Sequence, residues 1–109
     1  MWIFTPTAAL SIVQMQGQED KLLMVRSRRR DHLENFGYSE DEIIETPDND
    51  YQFRVISSYE IVMKKVMSTV GKIDYGNFKD RAKNEGHLPV DMLANIWQTT
   101  FNHLDQRIF

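Results

Sequence analysis

The sequence predicts an α+β protein, an antiparallel sheet of about four strands with helices packed on one face. Three observations predict it. Two segments in the first half, Leu22–Arg28 and Tyr51–Ile56, alternate in polarity with a period of two residues. Polar turn sequences separate these segments from neighbouring apolar runs, so consecutive strands return antiparallel. From Ser57 onward the apolar positions recur every three or four residues, the helical spacing. Strands first and helices last is the order of an α+β layer structure.

Residues 1–14 open with Trp2, Ile3 and Phe4 and continue with Ala8, Leu10 and Ile12. Aromatic and β-branched content favours a strand, bent near Pro6 because proline cannot donate to a ladder. Gln16–Asp20 is a polar turn, and Leu22–Arg28 is the returning arm of a hairpin. Asp31–Phe36 has room for a short helix, closed by Gly37 in a left-handed conformation. Glu42–Glu45 and Tyr51–Ile56 pair about Pro47-Asp48-Asn49-Asp50, whose side chains favour a turn.

Ser57-Ser58-Tyr59-Glu60 reads as a capping box with Ser57 at the N-cap. The helix behind it places Tyr59, Val62, Met63, Val66 and Val70 on one face and ends at Gly71. Glu60 stands four residues before Lys64, a favourable surface pair. A short helix from Asn77 stops before Gly86. After Pro89 an amphipathic helix carries Leu93, Ile96, Trp97, Phe101, Leu104 and Ile108. Met63 and Trp97 are expected to fill core gaps. A ferredoxin-like arrangement is one option, although no segment offers its terminal strand.

Composition bounds the rest. The 109 residues are expected to form one domain, 1–109, with 41% hydrophobic residues supplying its core. The chain has no cysteine, which excludes disulfides, thiolate metal sites and cysteine nucleophiles and fits a cytoplasmic location. A net charge of −3 argues against nonspecific nucleic-acid binding. No apolar run reaches the ~20 residues of a membrane span. Met1-Trp2-Ile3-Phe4 comes before any Lys or Arg, so the basic start of a signal peptide is missing and none is expected, and the chain reads as a complete small protein.

Strand parity yields the candidate site. With Leu23 and Val25 facing the helices, Arg26 and Arg28 lie on the open face, and the same parity turns Arg54 outward. Arg29 and Arg30 stand at its edge. Clustered guanidiniums suit an anionic ligand, phosphorylated or nucleotide, or an acidic protein surface. The competing account pairs these arginines with Glu42, Glu45 or Asp50 across strands.

Other constellations are weaker. Asp48-Asn49-Asp50 lacks the glycine and distal glutamate of a calcium loop, so a turn explains it better than a metal site. His32, His87 and His103 show no metal-ligand spacing, and no cofactor-binding or nucleophile motif is present. Ile73-Asp74-Tyr75-Gly76-Asn77-Phe78-Lys79 combines acid, phenol, amide, ring and amine at a helix exit. Asn77 is expected to cap the following helix, and Lys79 and Tyr75 join the arginines as candidate ligand-binding residues.

Taken together, Phe4-Thr5, Ser11–Gln14, Leu23-x-Val25-Arg26-x-Arg28, Thr46-Pro47-x-x-Asp50-Tyr51-x-x-Arg54 and Asp74-Tyr75-x-Asn77-Phe78-Lys79, with Trp97 in a final helix, form a pattern. It resembles a family of small, functionally uncharacterised bacterial proteins. Gly76 inside the tyrosine–asparagine segment is a point of difference. The resemblance implies one compact α+β domain and transfers no activity.

The resulting expectation is a binding or interaction module using the open sheet face. The alternative is a small enzyme on an anionic substrate, with Tyr75 or Asp50 moving protons beside the arginines. Apolar residues near both termini, Trp2-Ile3-Phe4 and Ile108-Phe109, suggest a homodimer.

Overall fold

A computed structural model describes residues 1–17 and 21–107. Gln18, Glu19 and Asp20 of the expected turn, and Ile108 and Phe109, lie outside the described residues. The strands are β1 (Trp2–Thr5), β2 (Ala8–Gln14), β3 (Leu22–Ser27), β4 (Ile44–Glu45) and β5 (Phe53–Ser58). Helix α1 (Arg30–Asn35) and a 3-10 turn (Glu40–Glu42) lie between β3 and β4. Helices α2 (Tyr59–Gly71), α3 (Phe78–Glu85) and α4 (Val90–Leu104) follow β5. All strand pairs are antiparallel, in the order β1-β2-β3-β5-β4.

The class is the predicted α+β. A fifth strand arises because residues 1–14 fold into a hairpin. Thr5 pairs with Ala8 across Pro6-Thr7, and the Thr7 amide donates to Thr5 Oγ1 at 3.2 Å. Among the described residues no strand follows β5, so the terminal strand of a ferredoxin-like arrangement is not formed. Three helices occupy that part of the chain.

Alternation sorts the sheet into two faces. Ile12, Val25 and Val55 stand in register across three strands and are buried beneath α1 and α2. Leu33 of α1 and Val62 of α2 complete this core with Phe36, Tyr38 and Ile43. Gly37 ends α1 at φ +113°, and the amides of Gly37 and Tyr38 bond the carbonyls of Glu34 and Leu33. That geometry is strained for any side chain, which is why glycine stands there.

The other face carries a second, smaller layer. Helices α3 and α4 pack together around Ala82, Leu88 and Leu93, with Ala9 of β2 against them. Ala9 points away from Ala8 and Leu10, so this cluster sits at the hairpin end of the open face. Asn77 caps α3 as expected, its Oδ1 accepting the Asp80 amide at 3.1 Å, and Gly86 closes it at φ +76°.

Two sequence expectations need correction. The N-cap of α2 is Ser58, whose Oγ accepts the Ile61 amide at 3.3 Å. Strand β5 runs two residues past Ile56, its expected end, and Ser57 stays in the ladder opposite Leu23, buried. A full capping box forms instead at Ser39 and Glu42, where the carboxylate takes the Ser39 amide at 2.8 Å. The Glu60–Lys64 pair forms at 3.2 Å.

Met63 and Trp97 do not fill the core; they are 58% and 54% exposed. Helix α2 has two apolar stripes, and the sheet covers the one containing Val62. The stripe Tyr59, Met63, Met67, Val70 remains outside. Trp97 instead stacks on Phe101 at 5.5 Å between ring centroids. No described helix is long and apolar enough to cross a membrane.

Replacing fully buried Leu33 by alanine is expected to cost about 3 kcal/mol in urea denaturation. Asn77→Ala is expected to cost about 1 kcal/mol in the same assay, the loss of one cap.

Candidate functional site

One row of side chains crosses all five strands on the open face: Trp2, Ser11, Arg26, Arg54 and Ile44. Arg26 and Arg54 are therefore directly opposed across β3 and β5. Like charges in that position repel. Among the described residues neither they nor Arg28 forms a salt bridge. The carboxylates proposed as their partners go elsewhere: Glu45 meets Arg30 at 3.5 Å and Glu42 caps at Ser39. Arg29 is held by Asp31 at 2.9 Å.

Neutral groups absorb the charge instead. Arg26 donates to Ser11 Oγ at 2.8 Å and lies 4.6 Å from the centroid of the Tyr51 ring. The Arg28 guanidinium lies 4.3 Å from the same ring. A ring face attracts cations through its quadrupole. Tyr51 is fixed by its backbone, because Arg54 Nη2 donates to its carbonyl at 3.1 Å and the Thr46 hydroxyl donates to it at 3.2 Å. Arg54 Nε in turn donates to Thr46 Oγ1 at 3.1 Å. Arg54 thus positions Tyr51, Arg26 supports the ring, and Arg28 is exposed without a hydrogen-bond partner among the described residues.

Beside Arg28 a groove of about 520 Å³ runs between the β1–β2 hairpin and the start of α4. Trp2, Phe4, Leu88, Met92 and Ile96 give it an apolar lining, and Arg28, Tyr51 and His87 line it too. No carboxylate lines it among the described residues.

The far wall is held by α1. The buried His32 ring accepts the Ala9 amide at Nδ1, 3.1 Å, so its proton sits on Nε2 and is donated to the His87 carbonyl at 2.9 Å. The preceding residue, Asp31, takes the His87 Nδ1 proton at 3.1 Å. His87 Nε2 has no partner among the described residues. Burial pushes the Asp31 carboxyl up, but hydrogen bonds from Arg29 and His87 outweigh it and leave the group below its ordinary value of 3.8.

Two predicted site residues lie apart from the arginines. Tyr75 lines a different groove, with Lys65, Lys72 and Arg81, and its ring is 5.8 Å from the Arg81 guanidinium. Arg81 is itself tied to Asp74 at 2.6 Å. Lys79 lies 5.4 Å from the Trp97 ring centroid, in a third recess shared with Phe4. Asp50 is exposed in the β4–β5 loop and makes no side-chain bond to the described residues. The expected meeting of Tyr75 with the open-face arginines is therefore not formed, since the helix exit after α2 turns toward α3. Tyr51, His32 and the Asp31–His87 pair escaped sequence reasoning. Tyr51 had a signal in its place beside a Pro-Asp turn; the histidines, more than 50 residues apart, had none.

No protein-family model, curated protein or solved structure matches the chain.

The depressed Asp31 carboxyl contributes stability that is complete above its unfolded value and lost as pH falls through the folded one. The difference in urea midpoint between wild type and Asp31→Asn is expected to be largest well above the ordinary carboxyl value of 3.8 and to shrink as pH falls through the lowered folded value. A difference independent of pH would show that Asp31 acts by packing.

Proposed function

We propose that the protein is a binding module that takes an anionic ligand at the Arg26–Arg28–Arg54 face. One observation carries this: three guanidiniums gather on one sheet face without a carboxylate partner among the described residues, two of them directly opposed, in a chain of net charge −3. An anion placed there relieves the repulsion and meets donors already fixed in place. An acidic protein surface offers the same charge but is less suited to the concave ground beside Arg28. The chain lacks cysteine, and we place the protein in the cytoplasm.

A second reading, an enzyme moving protons on an anionic substrate, is favoured by the Asp31–His87 pair. A carboxylate that orients an imidazole with its other nitrogen unbonded is an acid–base arrangement. His87 replaces Tyr75 and Asp50 in that role.

Thermal denaturation with inorganic phosphate, nucleotides and an acidic peptide tests the binding function. A ligand at a hundredfold excess over Kd adds about 2.7 kcal/mol, several degrees for a chain of this size. Arg28→Ala is expected to abolish the shift while leaving the unliganded melting temperature within a degree or so, since the residue is exposed and unbonded. Equal shifts in both proteins would refute the assignment. Turnover of p-nitrophenyl phosphate by wild type but not by His87→Ala would favour the enzyme.

We further propose a homodimer through α2. Tyr59, Met63, Met67 and Val70 form one exposed apolar stripe, which a second copy packed across a two-fold axis would cover. Light scattering is expected to give twice the 12.9 kDa chain mass for wild type and the chain mass itself for Met67→Lys. A monomeric wild type at high concentration would exclude it.

A further inference from the structure

We propose that the ligand is a small amphipathic anion, its charged head held by Arg28 and its apolar body lying in the groove between β1 and α4. The inference rests on the anion-binding assignment and specifies the rest of the molecule that bears the anion.

The groove and the free cation belong to one surface. Arg28 lines the groove, and so does the Tyr51 ring against which its guanidinium rests. The other guanidinium on the lining, Arg29, is already spent on both oxygens of Asp31. Among the described residues one uncommitted positive group therefore serves the groove, which matches a head of low charge and not a polyphosphate. Most of the remaining lining is hydrocarbon or aromatic. Trp2 and Phe4 are 73% and 41% exposed, so an apolar body laid against them removes real apolar surface from water. A nucleotide would leave that wall facing polar groups with little to bond.

The walls are set before any ligand arrives. β1 is held in register by β2, and the α3–α4 connection is fixed through its His87 carbonyl by His32. A volume of about 520 Å³ accommodates a chain of eight to ten carbons or a fused aromatic ring with its head. The unbonded His87 Nε2 adds a directional group. With Nδ1 donating to Asp31, it accepts a proton, as from the P–OH of a phosphate monoester monoanion. A carboxylate satisfies Arg28 alone. Both heads share the chemistry of one anion on an apolar body, and the measurement below separates them.

Calorimetric titration of the wild-type chain with hexanoate, octanoate and decanoate, and with hexyl and octyl phosphate, tests the proposal. Acetate, inorganic phosphate, octanol and octyltrimethylammonium serve as controls. Each added CH2 is expected to tighten Kd by up to about fourfold, the value of a buried methylene. Arg28→Gln is expected to weaken every anion at least tenfold, and Ile96→Trp, which fills the groove, to weaken the long chains but not acetate or phosphate. His87→Ala is expected to weaken octyl phosphate and spare octanoate. Loss of binding by short and long anions alike would overturn both the anion assignment and this inference. Arg28-dependent binding of acetate or phosphate that does not tighten with chain length would overturn the inference alone. Octanol binding as tightly as octanoate, unaffected by Arg28→Gln, would overturn the role of the head.

Discussion

The imidazole of His32 joins the two halves of this molecule. One core lies beneath α1 and α2, the other between α3 and α4 against Ala9 at the hairpin end of the sheet. His32 grows from the first and spends both ring nitrogens on reaching the second, one on the Ala9 amide and one on the His87 carbonyl. Removing the ring leaves two partly buried backbone groups unpaired, each costing up to about 1–3 kcal/mol. Its neighbour Asp31 points about 100° around the helix and grips the side chain of the residue whose backbone His32 holds. Two consecutive residues of a six-residue helix thus fix both parts of His87.

The open face obeys a different logic. Among the described residues its arginines are not neutralised by acids but arranged around one aromatic ring, and Arg54 holds that ring in place through Nε and Nη2. The Nε of Arg26 is buried without a partner among the described residues, so the patch is not at its electrostatic optimum. Incomplete satisfaction of this kind concentrates at places where something else binds.

Much of this was legible in the sequence because it depends on local chemistry. Period-two alternation located Arg26, Arg28 and Arg54 on one face, and Asn77 and Gly86 marked the ends of α3 by their own side-chain properties. Failures came where several local solutions were equally good. Ser57 and Ser58 both satisfy a cap, and the ladder to Leu23 decides between them. Helix α2 is apolar on two stripes, and periodicity cannot say which the sheet covers; Met63 therefore fell on the wrong side. Pro6-Thr7 has no glycine to announce a reversal, so a hairpin read as a bent strand. The Asp31–His87 contact spans 56 positions and exists only through tertiary packing.

The β4–β5 loop is closed at its neck and not at its tip. Thr46 bonds the Gln52 carbonyl through its amide at 2.6 Å and Tyr51 through its hydroxyl, while residues 47–50 between them are exposed. The ring that organises the arginines is thus mechanically isolated from the four residues that precede it. Over evolutionary time this tip is free to drift in sequence and to accept insertions, because lengthening a closed loop costs little and moves nothing at its base. Divergence among descendants of this chain should therefore accumulate within a few residues of the arginine face without altering the geometry of that face.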